Sequence, residues 1–163
     1  MPDTYRVTLE KEELVFSAAH FITFNGDTCE RLHGHNYRVR AEVQAALDEN
    51  HYVIDFIWLR DVLKEITSTL DHRMLLPTAH AEIQVTAQDR EVTATFRDRR
   101  WVFPAEDCIQ LPIENTTAER LAAYILDQLE RRLPMASRPC TIEIAVEENF
   151  GQWGHCLRRL ESA

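Results

Sequence analysis

The chain has 163 residues, of which 45% are hydrophobic and 28% charged, and its formal net charge is −9. This length and composition predict a single globular domain over residues 1–163, with a substantial core. The acidic balance argues against nucleic acid or an anionic membrane as a partner. No apolar run approaches the ~18 residues of a membrane span, and the first residues do not resemble a signal peptide. The four cysteines are irregularly spaced, so we expect reduced thiols and a cytoplasmic location.

Two long strands are predicted in the first third of the chain. The first covers about 5–20, with a bend predicted at the acidic stretch 10–13. The second covers about 35–47, where charged and apolar residues alternate as in an antiparallel sheet with one solvated face. The sequence Asn-Gly-Asp at 25–27 is a turn signal, so we expect the two strands to form a hairpin.

The segment 29–35, Cys-Glu-Arg-Leu-His-Gly-His, contains one thiol and two imidazoles. Residues two apart on a strand point to the same side, so His33 and His35 can face one point. The predicted hairpin brings His20 beside them, and three neutral imidazoles with an open position are typical of catalytic zinc sites. The thiol of Cys29 is then a candidate acid or base. The alternative is two surface histidines and a buried cysteine.

Two helices are predicted in the rest of the chain, followed by a strand in which apolar residues alternate at 142–146. Asp55 is the expected N-cap of the first helix. Thr116 and Glu119 form the expected capping box of the second, which Pro134 ends. The apolar residues at helical spacing are Phe56, Leu59, Val62, Leu63, Ile66 and Leu70 in the first helix and Leu121, Ile125, Leu129 and Leu133 in the second.

The segment between the helices, about 78–112, contains β-prone runs rather than a simple link. Residues 82–87 and 91–96 flank a polar turn and predict a β-hairpin, and 101–103 is a candidate third strand. One interpretation is a decorated surface loop. The other is a contact with another subunit or a lid over a substrate opening, since long loops are often functional.

Several short motifs occur along the chain in the same order as in one enzyme family. They are Phe16-Ser17-Ala18-Ala19-His20, Cys29-x-x-x-His33-Gly34-His35-Asn36-Tyr37, Val53-Ile54-Asp55-Phe56, Leu70-Asp71-His72, Thr116-Thr117-Ala118-Glu119 and Ile144-Ala145-Val146-Glu147-Glu148. Together they resemble the 6-pyruvoyltetrahydropterin synthase family, whose bacterial branch includes the 6-carboxytetrahydropterin synthase of queuosine biosynthesis. The motifs touch nearly the whole chain except the insertion at about 78–112.

The resemblance implies an α+β architecture called the tunnelling fold. It consists of an antiparallel four-stranded sheet with two helices on one face, to which this chain would add the inserted β-hairpin. In the family, the sheets of several copies join into a barrel and the active sites form between subunits. A homotrimer or homohexamer is therefore implied, and the closure of open sheet edges is a physical reason for it.

The resemblance also implies a site and a substrate. The family acts on 7,8-dihydroneopterin triphosphate or close relatives and uses Zn²⁺. The implied roles are metal ligand for His20, His33 and His35, catalysis for Cys29, Asp71 and His72, and pterin binding for Glu148 and Thr117. Asp71 would orient His72, which would exchange protons with Cys29 or the substrate. Alternatively, Asp71 and His72 only cap a helix end.

The expected pterin contact depends on the phase of the last predicted strand. Alternation places Glu148 on the same face as Ile144 and Val146, and Glu147 on the opposite face. A carboxylate of Glu148 can accept two N–H donors of the pterin side by side. Glu147 is the alternative if a bulge shifts the register, and Thr117 is alternatively only a helix cap.

Three branches of the family differ in product. The carboxy branch forms 6-carboxy-5,6,7,8-tetrahydropterin, acetaldehyde and triphosphate; the pyruvoyl branch eliminates triphosphate and forms a diketone; a third branch replaces the cysteine with glutamate and makes a folate precursor. Cys29 counts against the third branch, and its spacing to His33 resembles the carboxy branch. We therefore expect a zinc-dependent lyase of the carboxy type, with the pyruvoyl type or a non-catalytic zinc- or pterin-binding scaffold as alternatives.

Overall fold

The computed structural model describes residues 3–134 and 138–161. Its elements in chain order are β1 (Tyr5–His20), β2 (Thr23–Phe24), β3 (Thr28–Cys29), β4 (His33–Ala45), α1 (Phe56–Leu70), β5 (Arg73–Pro77), β6 (Gln84–Gln88), β7 (Glu91–Phe96), β8 (Arg99–Pro104), a short 3₁₀ helix (Ala105–Asp107), β9 (Cys108–Leu111), α2 (Ala118–Glu130), β10 (Cys140–Asn149) and β11 (Gln152–Leu160). Both predicted helices and the predicted long strands are present, so the fold is α+β.

The main sheet has six strands in the order β11-β10-β4-β1-β5-β9, which differs from the expected four. Its four long strands are antiparallel, whereas β5 pairs in parallel with both β1 and β9. The sequence does not reveal β5 by alternation because residues 74–77 are buried on both faces. Strands covered on both faces form continuous apolar runs, which periodicity cannot distinguish from short helical segments.

The pairing of β1 with β4 brings the two histidine-bearing segments together. His20 lies opposite His33 and Ala18 lies opposite His35. The register shifts between Glu10 and Val15, where the sequence predicts a bend. The second strand begins at His33, two residues earlier than expected, so both histidines lie within one regular strand.

The first helix begins as predicted, and the N-cap of the second is one residue later than expected. The carboxylate of Asp55 accepts a hydrogen bond of 2.7 Å from the backbone N–H of Ile57. In α2 the capping hydroxyl belongs to Thr117, which accepts from the N–H of Arg120. The expected cap, Thr116, is instead buried and donates to the carbonyl of Phe21. Among helices of the described ranges, none has the length and apolar character needed to cross a membrane.

Two hydrophobic clusters cover opposite faces of the sheet near β5. Leu75 belongs to the large core shared by the sheet and both helices. Its neighbours Met74 and Leu76 pack instead with Phe21 and with the buried residues of β7. The insertion forms a three-stranded antiparallel sheet, β6-β7-β8, which contains the predicted hairpin and the candidate third strand. It therefore has a packed inner face and is more than a surface loop.

Candidate metal centre and substrate cavities

Three imidazoles converge where β1 ends and β4 begins. His20 is fully buried, His35 is half-buried and His33 is exposed. One ring nitrogen from each lies within 4.8 Å of the others, and these are the only residues that form such a cluster in the described chain. The ring centroids are 4.8–5.2 Å apart. The alternation of β4 and the β1–β4 register thus produce the predicted convergence.

Backbone carbonyls orient two of these rings. Nδ1 of His20 lies 2.9 Å from the carbonyl oxygen of Thr116, and Nδ1 of His33 lies 2.8 Å from that of Arg31. A carbonyl only accepts, so each Nδ1 carries the proton and each Nε2 keeps a lone pair. Within residues 3–134 and 138–161, the buried Nε2 atoms of His20 and His35 have no hydrogen-bond partner. Because metal-bound histidines are held in this way, the cluster fits a metal ion.

The environment keeps the buried imidazoles neutral. Burial is the main cause that lowers the pKa of His20 to about 4, assisted by His33 and His35 and opposed by the Thr116 carbonyl. Burial, followed by the effect of His33, also lowers the pKa of His35. A neutral imidazole is the form that binds a metal, so both rings are competent ligands at neutral pH.

The metal-free protein should lose stability as the pH falls. In the folded protein the pKa of His20 is about 4, below its ordinary value of 6.5. The unfolded chain therefore binds the proton more readily, and the free energy of unfolding decreases as the pH falls from 6.5 toward 4. From pH 7.5 to pH 4.5 we expect this site to cost about 2–3 kcal/mol of unfolding free energy. Urea unfolding of chelator-treated protein at both pH values measures the loss.

The matched control for this prediction is His20→Asn, whose side-chain amide can still donate to the Thr116 carbonyl but does not titrate. The variant should lose less stability over the same interval, by about the amount assigned to His20. Equal losses in the two proteins would contradict the assignment.

Glu30 is a site residue that the sequence analysis did not identify. Its Oε2 lies 3.9 Å from Nε2 of His33 and accepts a hydrogen bond of 3.4 Å from the N–H of Ile22. The N–H of Glu30 in turn donates to the carbonyl of Ile22 at 2.9 Å. A carboxylate therefore stands beside the histidine cluster. The only available signal was its position directly after Cys29 in the histidine-containing motif.

Cys29 lies on the short β2–β3 hairpin and is half-buried. Its sulfur does not belong to the cluster of ligand atoms described above. Burial raises the pKa of the Cys29 thiol, the Arg99 guanidinium lowers it and the Glu30 carboxylate raises it. The protein groups together therefore raise this pKa above its ordinary value.

Asp71 and His72 form a hydrogen-bonded pair at the end of α1. Oδ1 of Asp71 accepts from the N–H of Ser17 at 2.8 Å, and Oδ2 lies 2.8 Å from Nδ1 of His72. The Ser17 N–H is the largest cause that lowers the pKa of Asp71, followed in the same direction by His72. The His72 side chain is 83% exposed, and its backbone φ is 56°. The carboxylate thus orients an imidazole that is free to meet another molecule.

Two cavities border the histidine cluster. The first, of about 550 Å³, contains His35 and His72 together with Arg73 of β5 and Phe103 of β8. The second has a volume of about 440 Å³, and its lining includes Glu148, Thr117, Glu119, Gln152 and Trp153. Oε1 of Glu148, which lines the second cavity, is 3.5 Å from Nε2 of His35, which lines the first. His72 of the predicted acid/base pair therefore lines one cavity, and the predicted pterin contacts Glu148 and Thr117 line the other.

The two adjacent glutamates face in opposite directions, as alternation predicts. Glu148 lies beside His35, and its pKa is raised by burial and by Glu30. Glu147 is 6% exposed; its carboxylate accepts from the N–H of Gly151 at 2.8 Å and lies 3.3 Å from the Arg38 guanidinium. The register irregularity of β10 lies between Glu147 and Asn149, but Glu148 remains on the side of His35 and Glu147 on the side of Arg38. Thr117 caps α2 and also lines the second cavity.

Comparison with known proteins supports an assignment to a family. A Methanocaldococcus jannaschii protein, provisionally named 6-carboxy-5,6,7,8-tetrahydropterin synthase, is 35% identical over 90% of each chain. The Haemophilus influenzae 6-carboxy-5,6,7,8-tetrahydropterin synthase is 28% identical over 73% of this chain and 79% of its own.

Solved structures extend the similarity to the fold. The Plasmodium falciparum 6-pyruvoyl tetrahydropterin synthase has a TM-score of 0.90 and 31% identity over 98% of this chain and 100% of its own. A Plasmodium vivax 6-pyruvoyltetrahydropterin synthase in which a catalytic glutamate is replaced by alanine has a TM-score of 0.87 and 29% identity over the same shares. The family profile for 6-pyruvoyl tetrahydropterin synthase matches residues 8–158. The chain therefore belongs to the 6-pyruvoyl tetrahydropterin synthase family.

Proposed function

We propose that this protein is a zinc-dependent lyase that converts 7,8-dihydroneopterin triphosphate and water to 6-carboxy-5,6,7,8-tetrahydropterin, acetaldehyde and triphosphate, as in the queuosine pathway. The observation that carries the proposal is a cluster of three histidines with a partly buried carboxylate, Glu148, 3.5 Å from one of them. The names of the M. jannaschii and H. influenzae relatives agree with this product, whereas those of the Plasmodium relatives correspond to the pyruvoyl branch. The spacing between Cys29 and His33 favours the carboxy product over the pyruvoyl product.

His20, His33 and His35 would hold the zinc. A zinc ion at this position supplies Lewis acidity toward oxygens of the substrate side chain. The chain's own contribution is orientation, because the Thr116 and Arg31 carbonyls fix the tautomers of two ligands. Burial lowers the pKa of His20 and of His35, so each ring is neutral at neutral pH and offers one nitrogen without a proton.

The pterin ring would occupy the cavity beside Glu148. The carboxylate can accept the amino and ring N–H groups as a pair, and its partial burial strengthens such bonds. Thr117 lines the same cavity, but its hydroxyl also caps α2, so its contribution to binding is secondary. The side chain of the substrate would then extend past His35 toward the first cavity, where His72 and Arg73 lie.

Proton transfer would be shared by Cys29 and the Asp71–His72 pair. Asp71 holds Nδ1 of His72, which leaves Nε2 of this ring to exchange protons. The high exposure of His72 suits an imidazole that completes a site together with a second copy of the chain. The thiol of Cys29, whose pKa is raised by burial, carries its proton at neutral pH unless a cation stabilises the thiolate.

Glu30 supports a second candidate, the third branch of the family. Its carboxylate is 3.9 Å from His33, and a catalytic glutamate occurs in the P. vivax relative. Both a thiol and a carboxylate are therefore available near the ligands. In this candidate, the carboxylate replaces Cys29 as the acid or base and the product is the folate precursor.

Incubation of the zinc-loaded protein with dihydroneopterin triphosphate, followed by mass spectrometry of the products, tests these assignments. The proposal requires carboxytetrahydropterin and acetaldehyde. Accumulation of the pyruvoyl diketone or of the folate precursor would replace it with the corresponding branch. Binding of the pterin without turnover would favour the non-catalytic scaffold.

Assembly into a trimer or hexamer is part of the proposal. In the described part of the chain, β9 and β11 form the edges of the main sheet and have no further strand beside them. Leu157 on β11 is 64% exposed, and Phe150 at the β10–β11 turn is 91% exposed. Open edges and exposed apolar side chains favour association, so we expect light scattering at micromolar concentration to give three or six times the 19.0 kDa chain mass. A monomer would contradict this expectation and weaken the proposed site.

A further inference from the structure

Cys29 lies on a loop formed by residues 21–30, which we call the thiol loop. The insertion contacts this loop at several points. Near the start of the insertion, His80 Nδ1 accepts from two backbone N–H groups, so its Nε2 carries the proton and donates to Oγ1 of Thr23 at 2.7 Å. Trp101 of β8 stacks on Phe21, with ring centroids 4.4 Å apart. These contacts hold the beginning of the loop.

Two arginines of the insertion hold the other end of the thiol loop by donating hydrogen bonds to its backbone carbonyls. Nη1 of Arg97 donates to the carbonyl of Asp27 at 3.1 Å, and Nη1 of Arg99 donates to the carbonyl of Cys29 at 2.5 Å. Arg99 is itself fixed, because its guanidinium lies over the Trp101 ring at 4.6 Å from the centroid. A planar cation stacked on an aromatic ring has little freedom to move, so its hydrogen bond is directional.

We infer that the inserted three-stranded sheet is the scaffold of the thiol loop, and that Arg99 is a positioning residue that fixes Cys29 through its carbonyl. The thiol is packed against the same cluster that joins the insertion to β5, so its environment depends on the insertion as well. Arg99 also affects Cys29 through its charge. The Arg99 guanidinium favours the thiolate form of Cys29, whereas the Glu30 carboxylate disfavours it. This inference rests on the proposed function only where it gives Cys29 a role in turnover.

The test compares Arg99→Met with Arg100→Met. Both residues lie on β8, but alternation places Arg100 on the opposite, exposed side. The readout that does not need turnover is the pH profile of Cys29 alkylation by iodoacetamide, followed on the Cys29 peptide by mass spectrometry. In Arg99→Met we expect the midpoint to rise by about 0.5–1 pH unit, because a nearby cation is lost. Arg100→Met should match the unaltered protein.

Kinetics provide the second readout. We expect Arg99→Met to lower kcat about 10-fold with KM changed less than about 2-fold, since misplacement of a catalytic group affects the reacting geometry more than ring binding. Arg99→Lys, which keeps the charge, should restore the alkylation midpoint. If Arg99→Met does not fold, Arg99→Gln keeps a donor for the carbonyl without the charge and should still show the raised midpoint.

An unchanged midpoint together with an unchanged kcat in the folded Arg99 variants would overturn the inference. If the unaltered protein does not turn over the pterin but Arg99→Met still raises the pH midpoint of Cys29 alkylation, the inference that the insertion positions the thiol loop is supported. Only the proposed reaction is then contradicted. A kcat loss of equal size in Arg100→Met would show a general effect on β8 and would also overturn the assignment to Arg99.

Discussion

Replacement of His33 or His35 with alanine should remove zinc while the fold is retained. Both side chains are on β4, whose backbone pairing with β1 and β10 does not depend on the imidazoles. Even the loss of a hydrogen-bond partner of a ligand weakens metal binding about 10–100-fold, so loss of a ligand should weaken it by more than about 100-fold. Elemental analysis of purified protein, with circular dichroism for the fold, measures both effects.

His155→Ala is the matched control for these variants. His155 lies on β11, where its Nδ1 is 2.7 Å from Glu143, so its removal deletes an imidazole without touching the cluster. The control should contain as much zinc as the unaltered protein. Full zinc occupancy in both His33→Ala and His35→Ala would show that the metal is held elsewhere, and the proposed reaction would lose its Lewis acid.

The histidine cluster could be predicted because its geometry follows from local rules. Two-residue periodicity places His33 and His35 on one side of a strand, and the hairpin places His20 opposite them. The same rule assigned Glu148 to the side of the cluster and Glu147 to the other side. The N-cap of α1 could be predicted for the same reason, because Asp55 accepts a hydrogen bond from a residue only two positions along the chain.

What the sequence did not predict depends on packing between distant segments. The identity of the α2 cap is one example, because Thr116 is drawn away from the helix by the carbonyl of Phe21, 95 residues earlier. The parallel pairing of β5 is another, since its side chains serve two different clusters. The role of Glu30 depends on the conformation of the thiol loop, which places its carboxylate beside His33. Each case is a tertiary contact that overrides or hides a local pattern.

Replacement of Cys29 with alanine should affect turnover far more than binding. If the thiol relays protons, its loss should lower kcat by about 10²–10⁴-fold, the range expected for a missing general acid or base. Binding of the pterin should change little, because the proposed ring contact is Glu148, in a cavity whose lining does not include Cys29. Cys156→Ala on β11 is the control for removal of a thiol as such, and its kinetics should be unaltered.

The contrasting variants decide what Cys29 contributes. Glu148→Ala should weaken pterin binding at least as much as it lowers kcat, because it would remove the proposed ring contact, which would be made both before and during the reaction. Glu30→Gln retains the size of the side chain and removes its charge beside His33. If Cys29→Ala keeps a near-normal rate and Glu30→Gln does not, the carboxylate performs the proton transfer and the product assay should show the folate precursor. If both keep the rate, His72 held by Asp71 becomes the remaining proton carrier, and the Cys29–His33 spacing loses its chemical basis as an indicator of the carboxy branch.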